Sequence, residues 1–371
     1  MRIYLFLLLV AATVTYLVTP AARLLARRYG AMTAVRERDV HSEVTPRLGG
    51  VAMFAGIAVA MLIASRTQFL SPLFAESFQA WAILIAAGLI CLLGALDDKW
   101  DLDWVTKLAG QTLIAFFLAW QGVQLTSLPI GGVTLLSPRM SLILTALVVI
   151  GCMNAVNFVD GLDGLACGVT AIGGASFFLY AYVLTRGTSA TDFSSLAAVL
   201  AAVLVGACIG FLPHNFHRAK IFMGDSGALL LGLMLAASTI AVTGQVDPAR
   251  LSGVDMFGQF LPILLPIGVM IIPLLDMVLA VLRRVGSGRS PFHADRMHLH
   301  HRLLDIGHST VSAVLIMYLW TVVVCTILLA PIFFTRIWAI VIAVSGLILA
   351  VFLTLDPVSR LKRLWGQKEA V

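Results

Sequence analysis

The sequence predicts an all-α polytopic membrane protein with about eleven transmembrane helices. Of its 371 residues, 60% are hydrophobic and only 12% are charged, and the mean hydropathy is +0.98. A soluble domain is roughly half apolar and about a quarter charged. The apolar runs are also long, whereas a transmembrane β-barrel would show short alternating segments. These observations exclude an ordinary soluble enzyme.

The candidate spans follow from the apolar runs, with ends defined to within a few residues. They are about Ile3–Val18, Gly50–Ala64, Trp81–Leu96, Val105–Gln121, Met140–Val156, Leu165–Leu184, Ser194–Pro213, Ala228–Val242, Gln259–Val281, Val311–Pro331 and Trp338–Leu355. No soluble domain, internal repeat or low-complexity linker separates them. Residues 1–371 are therefore expected to form a single integral membrane domain.

The distribution of charge predicts the orientation, with the N-terminus outside and the C-terminus in the cytoplasm. In this orientation 19 of the 25 Lys and Arg residues lie on one side, which the positive-inside rule makes cytoplasmic. Fifteen of the nineteen acidic residues lie on that side as well. We therefore expect a functional site on the cytoplasmic face.

The stretch Asn154–Ala166 is the most informative motif, and it reads NAVNFVDGLDGLA at the end of an apolar run. Polar residues recur there at steps of three, which puts them on neighbouring positions of one helical face: Asn154, Asn157, Asp160 and Asp163. Such residues at membrane depth are costly and usually functional. A polar contact between helices is the alternative, and it explains one or two of them better than four. Gly161 and Gly164 allow a bend or a close approach to a ligand.

The adjacent carboxylates of Asp97 and Asp98 close the third span. They face the negative end of the helix dipole and repel each other, so a cation is needed to offset their charge. Mg²⁺ with a phosphate substrate is the natural choice, and a solvated loop with Lys99 as partner is the alternative. Lys107, at the start of the fourth span, is placed to neutralise an acid or to contact a phosphate.

The loop after the seventh span ends in the run Met223-Gly224-Asp225-Ser226-Gly227. A carboxylate beside a glycine turn indicates a metal ligand, and we predict this role for Asp225. The alternative is that Asp225 or Ser226 only caps the eighth span.

Two cytoplasmic loops are rich in basic residues. The first carries Arg38 and His41 ahead of Pro46-Arg47-Leu48-Gly49-Gly50, and it is either an anion-binding loop or a positive-inside anchor. The last, at 283–302, contains five Arg and four His. Recognition of phosphate or sugar fits this loop better than metal binding, because the His spacing is not HExxH and the Arg residues crowd it.

Carboxylates and a His/Arg loop on one membrane face favour Mg²⁺-assisted phosphoryl chemistry, in which acids hold the metal and the metal bridges phosphate oxygens. The sequence contains no GxxxxGK[ST] motif, so it gives no indication of nucleotide hydrolysis. An ion-coupled transporter is the non-enzyme alternative, but no pair of broken spans supports it. A CDP-alcohol phosphatidyltransferase is disfavoured because Leu165-Ala166-Cys167 lacks the Arg that follows DGxxA in that family.

The motifs described above occur together and in order, with Asp295-Arg296-Met297-His298-Leu299-His300-His301 completing the set. In this the chain resembles the polyprenyl-phosphate N-acetylhexosamine-1-phosphate transferases, and more narrowly the branch that uses UDP-GlcNAc. The resemblance implies that UDP-GlcNAc and polyprenyl phosphate give polyprenyl-diphospho-GlcNAc and UMP. It implies Mg²⁺ as cofactor, with Mn²⁺ as the alternative ion. The implied setting is the bacterial inner membrane, at the first membrane step of cell-envelope glycan synthesis.

The resemblance also implies roles for individual residues. It places Asp225 and Asp97 at the metal and makes Asp98 the candidate base for the lipid phosphate. The catalytic residues that it implies are Asp97, Asp98, Asp160 and Asp163. The substrate-binding residues that it implies are Asn154, Asn157, Arg38, His41, Lys107, Arg289, His298, His300 and His301.

Two substrates differ between members of this group, namely the nucleotide-sugar donor and the lipid acceptor. The sister branch uses UDP-MurNAc-pentapeptide, but its last loop lacks the SPFxxDRxHLHH run seen here at Ser290–His301. The Pro46–Gly50 run resembles actinobacterial members, which favours decaprenyl phosphate as the lipid. No nucleic-acid partner is expected, and a homodimer is left open.

Overall fold

The architecture is almost entirely helical. The computed structural model describes residues 1–32, 45–129, 133–188, 195–243 and 308–355, with a few isolated positions between 244 and 307. Its helices are α1 (Arg2–Tyr29), α2 (Gly49–Arg66), α3 (Ser71–Ala75), α4 (Gln79–Trp100), α5 (Trp104–Trp120), α6 (Pro138–Val159), α7 (Leu165–Thr188), α8 (Leu196–Asn215), α9 (Gly224–Thr243), α10 (Thr310–Phe333) and α11 (Arg336–Leu355).

Among the described residues, nine helices are long and apolar enough to cross a membrane, namely all except α3 and α5. Helix α5 is apolar too, but it has only 17 residues. Ten of the predicted spans coincide with a described helix, and the predicted span Gln259–Val281 lies outside the described residues. The prediction of a polytopic helical membrane protein is confirmed, while the total number of spans and the orientation stay predictions.

A short β-hairpin is a departure from the predicted all-α class. Strands β1 (Ser127–Pro129) and β2 (Val133–Leu135) lie between α5 and α6, and they pair antiparallel with Ser127 opposite Leu135. The hairpin connects two apolar helices, and strand pairing satisfies backbone N–H and C=O groups that no helix takes up there.

Helices α8 and α9 form the centre of the bundle and are far more buried than the others. Helices α1, α2 and α7 pack against α8, while α4 and α6 pack against α9. Small residues permit this close packing: a Cβ atom at Gly210 would lie 2.1 Å from the Ala12 carbonyl oxygen of α1. By contrast, α11 packs on α10 and leaves most of its apolar surface outside, as expected for a helix facing lipid.

Candidate active site

The predicted polar residues meet where the C-terminal ends of α4 and α6 join the N-terminal ends of α5 and α9. Lys107 Nζ lies 3.1 Å from Asp97 Oδ2, and it also forms an ion pair with Asp225 Oδ2. Asn157 Nδ2 donates a hydrogen bond to Asp225 Oδ1 at 2.9 Å. Four helices thus contribute one residue each to a single polar cluster, which we call the Asp97–Asp225 cluster (Asp97, Lys107, Asn157 and Asp225).

The turn between α4 and α5 directs Lys107 towards Asp97. Helix α4 ends at Asp101 in the left-handed conformation (φ 52°), and Leu102 N donates to Asp97 Oδ1 at 2.8 Å. Asp103 then caps α5 by accepting hydrogen bonds from the backbone N–H groups of Val105 and Thr106. Because the chain reverses within these few residues, the first turn of α5 lies against the last turn of α4.

Asp98 fastens the N-terminus of α9. Its Oδ1 accepts a hydrogen bond from Asp225 N at 2.8 Å, and its Oδ2 accepts one from Ser226 N at 3.1 Å. A carboxylate is well placed there, because the first N–H groups of a helix lack partners and carry partial positive charge. Gly224 permits the approach with φ 67°, since a Cβ atom at that position would lie 2.4 Å from Asp98 Oδ2. The Asp98 carboxylate, rather than the side chain of Asp225 or Ser226, therefore accepts these hydrogen bonds from the first N–H groups of α9.

The glycine pair at the start of α2 binds the loop that precedes Asp225. Gly49 N donates to Phe222 O at 3.0 Å, and Gly50 N donates to Met223 O at 3.1 Å. The approach is so close that a Cβ atom at Gly50 would lie 2.2 Å from Gly227 N. The Pro46–Gly50 run thus positions Asp225 through main-chain contacts.

Replacing Gly50 with alanine is expected to lower the melting temperature of the detergent-solubilised protein, because the new methyl group has no room against the α9 backbone. Overpacking of this kind costs about 1–3 kcal/mol. Gly151, in α6, is the matched control, since no atom of the described residues lies within 4 Å of the Cβ atom it lacks. Gly151→Ala should leave the melting temperature unchanged or raise it. Equal melting temperatures for the two variants would contradict the proposed contact.

The turn after α6 is fastened to the loop between α8 and α9. Asp163 is buried, and its Oδ2 accepts a hydrogen bond from Ala219 N at 2.9 Å. Gly164, in the left-handed conformation with φ 76°, donates its N–H to Asn215 Oδ1 at 3.1 Å. The same Asn215 side chain donates to Ile221 O at 3.1 Å. The loops that carry Asp163 and Asp225 are therefore held together by one buried asparagine.

Asp160 lies within the electrostatic field of the site. Burial raises the pKa of its carboxyl group to about 7, and the negative charges of Asp98 and Asp163 act in the same direction. The positive charge of Arg47 opposes them and lowers this pKa. Arg47, which belongs to the run that holds the loop before Asp225, therefore favours the ionised form of Asp160.

Asn154 faces α5 rather than the Asp97–Asp225 cluster. Its Nδ2 donates to Gln111 Oε1 at 2.6 Å and to Ile150 O at 2.9 Å, and Gln111 is fully buried. The structure thus gives Asn154 a contact between helices, and its substrate contact stays a prediction. The remaining predicted site residues lie outside the described residues: Arg38, His41, Arg289, His298, His300 and His301.

Known proteins are similar in sequence to most of this chain. The family model described as "Glycosyl transferase family 4" matches residues 80–243, which run from α4 to α9 and include the whole Asp97–Asp225 cluster. The decaprenyl-phosphate N-acetylglucosaminephosphotransferase of Mycolicibacterium smegmatis is 44% identical over 95% of this chain and 88% of its own length. The chain belongs to glycosyl transferase family 4.

Other family 4 relatives include enzymes from distant bacteria. The protein of Bacillus subtilis described as a probable undecaprenyl-phosphate N-acetylglucosaminyl 1-phosphate transferase is 32% identical over 84% of this chain and 80% of its own length. The undecaprenyl-phosphate alpha-N-acetylglucosaminyl 1-phosphate transferase of Escherichia coli K12 is 27% identical over 79% of this chain and 74% of its own length. The similarity extends well beyond the segment that the family model matches.

The donor set of this family 4 chain fits a magnesium ion that also binds substrate. Within the described ranges, no three His, Cys, Asp or Glu side chains converge on one point. Mg²⁺ is usually held by one or two carboxylates together with substrate phosphates, rather than by a cage made only of protein. Asp97 and Asp225 supply two carboxylates, and the Lys107 ammonium lies between them and balances their charge.

Proposed function

We propose that the protein transfers GlcNAc-1-phosphate from UDP-GlcNAc to a polyprenyl phosphate, giving polyprenyl-diphospho-GlcNAc and UMP. The observation that carries the proposal is the Asp97–Asp225 cluster, at one end of a bundle of membrane-spanning helices. It provides carboxylates and an ammonium group for a diphosphate substrate at the place where a membrane lipid can present its head group. The names of the mycobacterial relatives favour decaprenyl phosphate as acceptor.

We further propose that the site lies on the cytoplasmic face of a bacterial inner membrane. The excess of Lys and Arg on the same side as the site residues supports this placement. UDP-sugars are made in the cytoplasm, so the donor would reach the site without crossing the bilayer.

In the proposed reaction an oxygen of the lipid phosphate attacks the phosphorus atom attached to GlcNAc, and the bond from this phosphorus to the bridging oxygen of UMP breaks. Asp97 and Asp225 would hold Mg²⁺, which when bound neutralises charge on the phosphate oxygens. Asn157 keeps the Asp225 carboxylate in one orientation through its hydrogen bond to Oδ1. Lys107 is placed to donate to a phosphate oxygen as the negative charge moves onto UMP.

We propose a positioning role for Asp98, because both of its oxygens accept hydrogen bonds from the start of α9. A phosphate monoester is already largely ionised near neutral pH, with a second pKa of about 6, so it needs little help from a base. Asp160 and Asp163 lie on the adjoining turn, where they would face the nucleotide and the metal.

Release of UMP by the purified protein in detergent tests the proposal. UMP should appear from UDP-GlcNAc only when both polyprenyl phosphate and Mg²⁺ are present, and more slowly from UDP-GalNAc or UDP-MurNAc-pentapeptide. Decaprenyl and undecaprenyl phosphate can be compared in the same assay. The absence of UMP from a folded preparation would reject the enzyme. Uptake of an ion into liposomes without UMP release would favour a transporter instead.

Arg47→Leu is expected to move the acidic side of the pH profile to higher pH. Removing the guanidinium charge raises the pKa of Asp160 above about 7, so a higher pH is needed to ionise it. The measurement is kcat/KM for UDP-GlcNAc as a function of pH. Arg66→Leu, at the other end of α2, should leave the profile unchanged. A profile for Arg47→Leu that overlays the wild type would contradict the expectation that Arg47 controls turnover through the charge of Asp160.

A further inference from the structure

A tyrosine on α10 contacts the turn that carries Asp160 and Asp163, although it lies more than 150 residues away in the sequence. Tyr318 Oη donates a hydrogen bond to Gly164 O at 2.5 Å. We propose that Tyr318 is a positioning residue for the reaction described above. Tyr318 acts by holding this turn in one conformation. The proposal rests on the proposed function for its kinetic consequences only.

Gly164 is held at both of its main-chain polar groups. Its carbonyl oxygen accepts from Tyr318 Oη and also from Gly168 N at 2.8 Å, and its N–H donates to Asn215 Oδ1 at 3.1 Å. The two side chains come from different helices, α10 and the end of α8. A glycine in the left-handed region has access to more backbone conformations than other residues, so the side-chain bonds add restraint to that of the helical bond.

Packing fixes the tyrosine ring itself. A Cβ atom at Gly168, one turn further along α7, would lie 2.0 Å from both Cζ and Oη of Tyr318. The ring therefore lies directly on the Gly168 backbone, in space that only a glycine leaves open. The partial burial of Tyr318 and its hydrogen bond to Gly164 O together restrict the groups that the hydroxyl can bind.

The position of Gly164 in the turn gives this contact its effect on the site. Asp163 directly precedes Gly164, and its carboxylate is bound to Ala219 N. Asp160 precedes Asp163 by one further step of three. The Tyr318 hydroxyl contacts main chain and not these carboxylates in the described hydrogen bonds, so it acts on them through the orientation of the Gly164 peptide.

Tyr318→Phe tests the inference in two independent ways. The first is hydrogen–deuterium exchange of the peptide that covers residues 160–168, which should become faster because a part-buried hydrogen bond that restrains the turn is lost. The second is kinetic: the KM for UDP-GlcNAc and the Mg²⁺ concentration for half-maximal rate should both rise by about threefold to tenfold, as for loss of one neutral hydrogen bond.

Thr321→Val is the matched control, because it also removes a hydroxyl group from α10, and the hydrogen bond that the described residues give Thr321 Oγ1 is to Met317 O of the same helix. It should match the wild type in both measurements. Gly168→Ala should displace the Tyr318 ring and change both measurements in the same direction as Tyr318→Phe. The double variant should be no worse than Gly168→Ala alone, since both changes remove one contact.

The outcomes separate this inference from the proposed function. Unchanged exchange in Tyr318→Phe overturns the inference, whether or not the wild type releases UMP. Faster exchange with unchanged KM and Mg²⁺ dependence reduces Tyr318 to a structural contact and also overturns the positioning role. A wild type that shows protection at residues 160–168 but no UMP release rejects the proposed function while the contact stands.

Discussion

Replacing Asp225 with asparagine should reduce UMP release by about a thousandfold or more, because one carboxylate of the proposed metal site is lost. Asp225 is the residue of the cluster that contacts both Lys107 and Asn157. The bundle should stay folded, since the bond from Asp225 N to Asp98 involves main chain and survives the substitution.

The rate is measured as UMP release at saturating UDP-GlcNAc and lipid, with thermal unfolding in detergent as the test of folding. Asp103→Asn is the matched control: it removes the same charge at an exposed position of the same region, and asparagine caps a helix about as well as aspartate. Near-normal turnover in Asp225→Asn would remove Asp225 from the metal site.

Replacing Lys107 with methionine should slow turnover by about a hundredfold and yet tighten the binding of Mg²⁺. The ammonium group lies between Asp97 and Asp225 and balances their charges. An arriving metal ion has to compete with this ion pair for the same oxygens. Without the lysine, the two carboxylates repel each other and gain more from the ion, while the substrate phosphates lose a donor.

Thermal unfolding at increasing Mg²⁺ separates these effects, because an ion that binds only the folded state raises the melting temperature. In Lys107→Met the rise should begin at lower Mg²⁺ than in the wild type. Lys99→Met removes the same charge from a side chain that stacks over Tyr29 and Trp100, and it should behave like the wild type. Weaker Mg²⁺ binding in Lys107→Met would mean that the lysine assists the metal instead of competing with it.

Hydropathy predicted most of the helices because the apolar runs are long and the charges between them are few. Hydropathy predicted the ends of the helices less accurately. The first predicted span covers about Ile3–Val18, whereas α1 continues through Pro20 to Tyr29, because an apolar scale does not register the basic last turns of a helix. The two strands of the hairpin have three residues each, which is too short for an alternating hydrophobic pattern to be recognised in the sequence.

Part of the site was predictable because its residues repeat at helical spacing or stand in pairs at the ends of apolar runs. Asp97, Asn157 and Asp225 do so, and the structure brings them together around Lys107. What they do there beyond these contacts stays a prediction.

Three other residues could not be found in this way. Gln111 and Tyr318 lie in largely apolar helices, and Asn215 is one of several polar residues in the run 214–220. The partners that these three residues bind in the site are distant in sequence. Asn215 and Tyr318 bind main-chain atoms of Gly164, and main chain leaves no signature in residue type. The glycine pair at the start of α2 likewise acts through backbone contacts, which are visible only in the folded structure.

The attachment of α9 to Asp98 couples two segments that lie far apart in the sequence. Asp97 neighbours Asp98, and the attached backbone carries Asp225, so the same two hydrogen bonds join the main chain beneath both carboxylates. A shift of the end of α4 would therefore carry the start of α9 with it. The two halves of the cluster would move as one unit while the rest of the bundle flexes.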